Sequence, residues 1–212
     1  PVASASFNHP IALLQFHCGV AVEMGYSAQG SGAWVGFGYP SSLTALKEYF
    51  SYSQDMVFRS KDEHTNAEWI SLLKSDLNMG RPLIYRGSGE GAGHAFNCDG
   101  YDSQDNFHFN WGWGGSGNGY FPVTALTPNG SDYSNYQGAI FGMRPAIAAW
   151  FSVDVTAGAA PLAVQFTDLS SSDDPITHRA WDFNSDGVID DTTASPQFTY
   201  HDPGFYDVTL IV

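Results

Sequence analysis

The stretch GAGHAFNCDGYDSQDNFHFNWGWGG, residues 91–115, contains two strand-like segments separated by the turn-forming sequence DGYDSQDN. This pattern predicts an antiparallel hairpin in which His94 begins the first strand and Asn110 ends the second. The two side chains should therefore meet at one end of the hairpin, with Trp111 beside them. An imidazole that is held by an amide oxygen and shielded by an indole is the arrangement that a general-base histidine requires.

The same residues also allow a purely structural interpretation. A single histidine in a strand is more often a surface residue or a satisfied core residue than a catalytic group. Glycines and tryptophans at a turn can likewise serve only chain reversal and packing. In favour of catalysis, the glycines at positions 89, 91 and 93 would let a substrate backbone pass close to His94, because glycine has no side chain.

The composition excludes several classes of protein. The chain has 212 residues, 43% of them hydrophobic, which is enough for one large folded domain or two small ones. Eight basic residues face 22 acidic ones, and the formal net charge of -14 would repel nucleic acid. No apolar run reaches the roughly 20 residues that span a bilayer, and no leader opens the chain, so an export signal is expected to be removed or to lie outside this sequence.

The order of helices and strands predicts an α+β domain followed by a smaller all-β domain. Three helices are predicted first, in the segments HPIALLQFHCG with Gly19 as its stop, PSSLTALKEYF with Ser41 or Ser42 as its cap, and TNAEWISLLKSDLNMG with Thr65 or Asn66 as its cap. Strands follow from RPLIYRGSG to QGAIFGMRP, and short alternating strands resume at FSVDVTAG. We place the domain boundary near residue 146, which gives domains of 1–146 and 147–212.

The first domain resembles the streptopain family of secreted bacterial cysteine peptidases, which have a papain-like fold. The resemblance rests on GAGHAFNCDGYD and FHFNWGWGGSGNGYFPVTALTP, with further similarity from LLQFHCGVAVEMGYSAQGSGAWV to LTALKEYFSYSQ, so that it covers residues 8–145. It implies that His94 is the catalytic histidine, Asn110 its orienting amide and Trp111 the shielding indole. It also implies a substrate of protein or peptide and no cofactor for catalysis.

The nucleophile that the resemblance implies is absent from this sequence. In the family, the catalytic cysteine and an oxyanion-hole glutamine lie in a segment that precedes the region matched here. Cys18 is predicted near the end of a helix, where the negative pole disfavours a thiolate. Cys98 lies about 13 Å from His94 along a strand, at roughly 3.3 Å per residue. Whether the two cysteines form a disulfide or remain thiols is open from sequence.

Three further positions carry weaker expectations. The loop SAQGSGAW, residues 27–34, matches a family region that lines the substrate cleft, although an ordinary surface loop is an equal alternative. Trp113 is expected to pack the following turn more than to stack beside Trp111. Arg86 occupies a position where the family more often has an uncharged residue, so any family contact at that position is in doubt.

The second domain resembles a PKD domain, an Ig-like β-sandwich that is frequent in secreted bacterial hydrolases. The resemblance covers residues 151–212 and rests on Trp181 and on the frame formed by Tyr200, Pro203, Gly204, Tyr206 and Val208. Within DFNSDGVIDD, oxygen-bearing side chains at alternate positions and a glycine suit calcium. The candidate ligands are Asp182, Asn184, Asp186 and Asp190, and the alternative is a plain acidic turn, since Thr193 stands where a bidentate glutamate would be expected.

Two functions follow from these observations. The first is the histidine-bearing part of a secreted or cell-surface bacterial cysteine endopeptidase, which is inactive without the upstream segment of its own polypeptide. The second is a noncatalytic binding or adhesion module, built on a peptidase remnant and the PKD domain. A Gln and a Gly-Cys at the start of an upstream helix would identify the enzyme. We favour the enzyme because a complete set of His94, Asn110 and Trp111 has no evident use in an adhesin.

Overall fold

The computed structural model describes residues 9–28, 30–89 and 93–212. The chain forms two compact units, which meet in sequence between Arg144 and Pro145. Within the described ranges, no helix is both long enough and apolar enough to cross a membrane. The first unit combines a few helices with an antiparallel sheet, so the predicted α+β class is confirmed.

One six-stranded antiparallel sheet organises the first unit, with the strand order β1-β6-β2-β3-β4-β5. The strands are β1 (Val57–Ser60), β2 (Leu83–Ser88), β3 (Gly93–Tyr101), β4 (Asn106–Asn110), β5 (Gly119–Pro122) and β6 (Asn135–Phe141). All but β1 were expected from the sequence. Because β3 and β4 are joined by the short turn around Asp102 and Asp105, the predicted hairpin forms.

The two sheet faces are covered by different helices. Along β2 the side chains of Leu83 and Tyr85 enter one core with Trp69 of α3 (Asn66–Asn78), while Ile84 packs into a second core together with Leu46 of α2 (Ser42–Tyr49). This alternation is the period of two that a strand buried on both faces requires. The sheet is therefore a central layer, and only its ends are open for a site.

Capping side chains fix where α2 and α3 begin. Ser41 accepts a hydrogen bond from the Thr44 backbone N–H, and Thr44 in turn accepts one from the Ser41 N–H. Thr65 and Glu68 make the equivalent exchange at α3. Both pairs are capping boxes, which satisfy N–H groups that have no partner within the helix. From the sequence alone, the cap could be either Ser41 or Ser42 at α2, and either Thr65 or Asn66 at α3.

The first helix differs from its prediction. It runs from His9 to Ala21 and so continues past Gly19, the residue predicted to stop it. A Cβ atom built on Gly19 would lie 2.0 Å from the hydroxyl oxygen of Tyr26. Gly19 is therefore explained by the close approach of a following segment, and a residue without a side chain is required inside this helix. Most of the helix's apolar side chains remain exposed, including Leu14 and Phe16.

The second unit contains three small antiparallel sheets. These pair β7 (Ile147–Ala148) with β10 (Ser171–Ser172), β11 (Ala180–Asp182) with β13 (Thr209–Ile211), and β9 (Leu162–Asp168) with both β8 (Phe151–Val153) and β12 (Gln197–Tyr200). Its buried core consists of Val164, Phe166, Trp181, Phe183, Tyr200 and Leu210. The unit is built from strands alone, with Trp181 fully buried at its centre.

Candidate active site

The register of the hairpin decides which side chains share a face. Asn97 pairs with Asn110, and Cys98 pairs with Phe109. Since neighbouring side chains on a strand alternate between faces, His94 lies on the core face with Phe96 and Cys98. Asn110 lies on the opposite face with Asn97. The hairpin brings the two strand ends together as predicted, but it separates the two side chains.

The His94 ring is surrounded by aromatic side chains on the core face of the sheet. Its centroid lies 4.9 Å from that of Trp113, 5.6 Å from Tyr133, 5.9 Å from Phe96 and 6.4 Å from Trp111. The indoles of Trp111 and Trp113 are nearly parallel to the imidazole, at 11° and 20°. These planes restrict the ring to one orientation and shield it from water.

A backbone carbonyl holds the imidazole. The Nε2 nitrogen of His94 lies 2.8 Å from the carbonyl oxygen of Trp111. Because a carbonyl oxygen can only accept a hydrogen bond, Nε2–H must be the donor, which places the lone pair of the neutral ring on Nδ1. In the described part of the chain, no hydrogen bond engages Nδ1. The ring is therefore held in the tautomer that leaves a basic nitrogen available.

The predicted hydrogen bond between His94 and Asn110 is not formed, although both residues belong to the described part of the chain. Asn110 Oδ1 instead accepts a hydrogen bond from the Gly112 backbone N–H at 3.0 Å. The physical reason is the alternation along β4, which turns Asn110 away from the core face. The expectation that its amide orients the imidazole is thus corrected, and the Trp111 carbonyl makes that contact.

The turn after β4 sets the direction of this carbonyl. Asn118 Oδ1 accepts a hydrogen bond from the Trp111 N–H at 3.0 Å, so the peptide groups around Trp111 are fixed by side chains on either side. Gly112 has a φ of 78°, in the left-handed region that favours glycine. Asn118 was not singled out from the sequence. Its position beside a glycine in the predicted turn was the available signal, but its partner could not be inferred.

Trp113 has a larger role than packing the following turn, contrary to the sequence-based expectation. Its ring lies 5.8 Å from that of Trp111 at an angle of 24°, in addition to its stack on His94. The two indoles and the imidazole thus form one set of nearly parallel rings. Trp111 is fully buried, whereas Trp113 is partly exposed and closes the set on the solvent side.

Tyr133 also reaches His94, and glycines make its approach possible. A Cβ on Gly87 would lie 2.1 Å from the Tyr133 carbonyl oxygen, and one on Gly89 would lie 1.7 Å from that of Asp132. At Gly89 the space is therefore occupied by the protein's own backbone, which corrects the expectation that a substrate backbone passes there. A Cβ on Gly93 would have no contact closer than 3.8 Å, and Gly91 lies outside the described residues.

A buried chain of hydrogen bonds anchors the segment that carries Tyr133. Trp69 Nε1 donates to the Tyr85 hydroxyl at 2.8 Å, and that hydroxyl donates to Gln137 Oε1. Gln137 Nε2 then donates to the carbonyl oxygens of Val123 and Ser134, both at 2.8 Å. Because each buried polar group has a partner, this chain ties the segment firmly to α3 and the sheet.

A cleft of about 610 Å³ lies at the His94 end of the sheet. Its walls include His94, Arg86 and part of the predicted cleft loop, from Ser31 to Trp34. The loop and the histidine thus border the same open space.

Comparison with known proteins identifies the family. The model of the peptidase C10 family matches residues 3–121, which is more than half of the chain. This chain belongs to the peptidase C10 family. His94 and Trp111 both lie within the matched region.

Named relatives of this C10 chain are thiol peptidases. Streptopain of Streptococcus pyogenes is 32% identical over 142 residues, which cover 64% of this chain and 35% of that protein. The thiol protease/hemagglutinin PrtT of Porphyromonas gingivalis is 35% identical over 133 residues, covering 59% of this chain and 15% of that protein. This chain therefore spans about a third or less of the length of these relatives.

A solved structure supports the same assignment. The structure of active wild-type interpain A, a cysteine protease of Prevotella intermedia, matches with a TM-score of 0.58 and 32% identity, over 66% of this chain and 59% of that one. A second structure, of a prointerpain A fragment, matches with a TM-score of 0.53 and 33% identity. The C10 unit therefore has the fold of a cysteine protease domain.

The two cysteines of this C10 chain are both free thiols. Cys98 is fully buried, and desolvation together with the charge of Asp99 raises the pKa of its thiol to about 12. It is therefore protonated at neutral pH and is a poor nucleophile. Cys18 is exposed near the end of the first helix.

The candidate calcium ligands lie in one turn of the second unit, where their oxygens mostly accept hydrogen bonds from the backbone. Asp182 accepts from the N–H groups of Asn184, Asp186 and Gly187, and Asp190 accepts from that of Phe183. Among the described residues, no three His, Cys, Asp or Glu side chains are grouped to hold a metal ion. Calcium binding by Asp182, Asn184, Asp186 and Asp190 stays a prediction, with the plain acidic turn as its alternative.

Proposed function

We propose that this chain is the histidine-bearing part of a secreted bacterial cysteine endopeptidase, with His94 as the general base. The observation that carries the proposal is the imidazole whose Nε2–H donates to the Trp111 carbonyl while Nδ1 keeps its lone pair. A histidine held in this way is prepared to take a proton at one defined atom. The family membership supports the same chemistry, since the named relatives are thiol or cysteine peptidases.

In the proposed reaction, His94 Nδ1 accepts the proton of a cysteine thiol, and the resulting thiolate attacks the carbonyl carbon of a peptide bond. The imidazolium then returns this proton to the departing amine, which leaves an acyl-enzyme for water to hydrolyse. The Trp111 carbonyl stabilises the imidazolium, because its hydrogen bond becomes charge-assisted when the ring is protonated. Trp113 and Tyr133 limit the access of water to the ring.

The nucleophile is proposed to come from sequence upstream of residue 1. The chain has only two cysteines; burial keeps the Cys98 thiol protonated, and Cys18 lies near the C-terminal end of the first helix. A cysteine at the start of an upstream helix would gain the stabilisation that the positive helix pole gives to a thiolate. This chain would then contribute the base, the shielding indoles and one side of the cleft.

The second unit is proposed to be an accessory Ig-like β-sandwich of the PKD type, extending over 147–212. Its all-strand composition and the central Trp181 support this proposal. Tyr200, from the Tyr-Pro-Gly frame, is buried and donates a hydrogen bond from its hydroxyl to the Phe183 carbonyl at 3.0 Å. The frame thereby contributes directly to the core of the unit. An extracellular location agrees with the acidic composition and with the proposed peptidase function.

Peptide hydrolysis by this chain and by the full-length protein tests the proposal. We expect no hydrolysis of an unfolded protein by the chain alone, because His94 has no thiol to deprotonate. The full-length protein should hydrolyse it and lose activity after thiol alkylation. Alkylation should be done in a Cys18→Ser background, since the exposed Cys18 would otherwise react too.

Two results would contradict the proposal. Cleavage by this chain alone would show that no upstream nucleophile is needed. A full-length protein that is folded but cleaves no peptide would favour the noncatalytic binding module. Retained activity of the Cys18→Ser variant is the control that separates the upstream thiol from the one in the first helix.

A further inference from the structure

Arg86 has an unusual position in the first unit. Its guanidinium carbon lies 5.0 Å from the ring centroids of both Phe37 and Phe58. The two rings contact each other edge to face, at 4.6 Å between centroids. A guanidinium between aromatic rings is attracted by their negative faces and is held in one orientation. The charged end of Arg86 is thus fixed before any ligand arrives.

Small residues around the rings make this position possible. A Cβ on Gly36 would lie 2.0 Å from the Phe58 ring, and one on Gly138 would lie 2.3 Å from it. Gly138 is also the cross-strand neighbour of Arg86 on β6, and Ala95 is its neighbour on β3. Neither neighbour has a side chain long enough to cover the guanidinium. The surrounding sequence therefore makes room for both the rings and the charge.

Arg86 has no carboxylate partner within hydrogen-bond distance in the described part of the chain, although the protein has a large excess of acidic residues. Its Nε atom is buried and without a hydrogen-bond partner. By contrast, four other basic side chains form ion pairs with aspartates, namely Lys74, Arg81, Arg144 and Arg179. Burial lowers the pKa of the Arg86 guanidinium, although the negative charge of Asp62 acts to raise it. A guanidinium without a carboxylate partner points to an anionic group that arrives with a ligand.

The guanidinium belongs to a residue that lines the same cleft as His94. Arg86 directly precedes Gly87, which pairs with His94 across β2 and β3. None of the described residues that line the cleft is an aspartate or a glutamate. Strand alternation places the Arg86 side chain on the same face as Ala95, opposite that of His94. The described walls of the cleft therefore have one fixed positive charge, on the other face of the sheet from the candidate catalytic base, and no acidic side chain.

We propose that Arg86 is a specificity-determining residue that binds the carboxylate of an aspartate or glutamate side chain in a peptide bound in this cleft. This inference rests on the proposed peptidase function and adds a substrate class to it. A carboxylate fits because it can accept two parallel hydrogen bonds from the terminal nitrogens of a guanidinium. An uncharged isostere would leave the charge of Arg86 without an opposite charge.

Equilibrium binding to the 212-residue chain tests the inference without relying on catalysis. Two peptides that differ only by Glu or Gln would be titrated while the Arg86 Nε–H resonance is followed by NMR. We expect the Glu peptide to bind about tenfold more tightly or better and to shift this resonance, because a site built for a charge rejects its isostere. Equal affinities, or no binding of either peptide, would overturn the inference.

Two substitutions at Arg86 and one control complete the binding test. Arg86→Met keeps the length and packing of the side chain but removes the donors, so the ratio of Glu to Gln affinity should fall to about one. Arg86→Lys keeps the charge without the planar fork and should retain only part of the preference. Arg59→Met is the control, because it removes the same charge at a residue outside the cleft lining. The ratio of Glu to Gln affinity in this variant should equal that of the wild type.

Hydrolysis by the full-length protein separates this inference from the proposed function. If the protein cleaves peptides, kcat/KM should favour Glu over Gln at one substrate position, and Arg86→Met should abolish that preference. Cleavage with no Arg86-dependent preference would refute the specificity role and leave the peptidase function intact. If no peptide is cleaved, the peptidase function fails, and the binding ratios still decide whether Arg86 recognises a carboxylate.

Discussion

The Nε2 nitrogen of His94 lies 2.8 Å from the backbone carbonyl oxygen of Trp111, and this contact determines the orientation of the imidazole. The contact depends on the path of the backbone after β4, because a carbonyl is present whatever the side chain. The neighbouring amide of Asn110 faces the other side of the sheet and stabilises the same turn through Gly112. A histidine can therefore be oriented here without a polar side chain as its direct partner.

The first prediction compares His94→Ala with Asn110→Ala in the full-length protein. His94→Ala should reduce kcat by several orders of magnitude, because it removes the proposed base. Asn110→Ala should cost about tenfold or less, since it removes only a hydrogen bond within the turn, of about 1 kcal/mol. Steady-state kinetics on folded variants measure both. An equal loss in the two variants would show that the Asn110 amide acts directly on the imidazole.

Asn118→Ala should impair the site through the backbone. Its Oδ1 accepts the Trp111 N–H, so its loss should loosen the backbone directly before the residue whose carbonyl holds His94. We expect a lower kcat with little change in KM, and recovery of most activity in Asn118→Asp, which keeps the accepting oxygen. NMR of the His94 ring nitrogens should show a changed tautomer ratio in Asn118→Ala. An unchanged ratio would contradict this positioning role.

Tyr85→Phe should destabilise the first unit by about 2 kcal/mol or more. The substitution keeps the ring but leaves the buried Trp69 Nε1 and Gln137 Oε1 without their shared partner. Urea unfolding followed by tryptophan fluorescence measures the change. Tyr120→Phe is the control, because Tyr120 is exposed and its change should be within about 0.5 kcal/mol. Equal effects in the two variants would refute the importance of this hydrogen-bond chain.

Thiol reactivity should differ sharply between the two cysteines. At pH 8 the folded chain should be alkylated at Cys18 and not at Cys98, because burial and a pKa near 12 keep the Cys98 thiol protonated and inaccessible. In urea both should react, since the unfolded thiol pKa is about 8.5. Mass spectrometry of proteolytic peptides counts the labels. Rapid labelling of Cys98 in the folded chain would contradict its buried position.

The acidic turn predicts a pH dependence of the second unit. Burial opposes the ionisation of Asp182, but N–H groups led by that of Gly187 outweigh it and hold its pKa below the usual value. The ionised group therefore stabilises the fold above its unfolded pKa of about 3.9. This contribution is lost as the pH falls through the lower folded pKa. Thermal unfolding between pH 7 and pH 2 should show a larger loss in the wild type than in Asp182→Asn, in which Asp168 and Asp191 still have lowered pKa values.

Calcium provides a separate test of the same turn. If the candidate ligands bind calcium, millimolar calcium should raise the Tm of the second unit, because a ligand that binds only the folded state stabilises it. Magnesium at equal ionic strength is the control for general charge screening. A Tm that calcium leaves unchanged would support the plain acidic turn, in which the Asp182 oxygens accept only backbone hydrogen bonds.

Local sequence patterns were sufficient for the elements and for the approximate position of the site. Turn residues between two alternating segments predicted the β3–β4 hairpin, and serine or threonine before an apolar run predicted the starts of α2 and α3. These features depend on residues close together in the chain, where propensity and periodicity act directly. The role of Gly19 was misinterpreted because its reason is a contact with Tyr26, which local pattern does not reveal.

The sequence by itself determined the α+β class and the hairpin that carries His94, since these follow from residue order and type. Only the tertiary structure decided what surrounds the imidazole. The pleat of β4 turned Asn110 away, the turn fixed by Asn118 supplied the Trp111 carbonyl, and a distant segment brought Tyr133 to the ring. Contacts of this kind join residues from different elements, and their geometry is set by strand register and packing, which spacing along the chain does not encode.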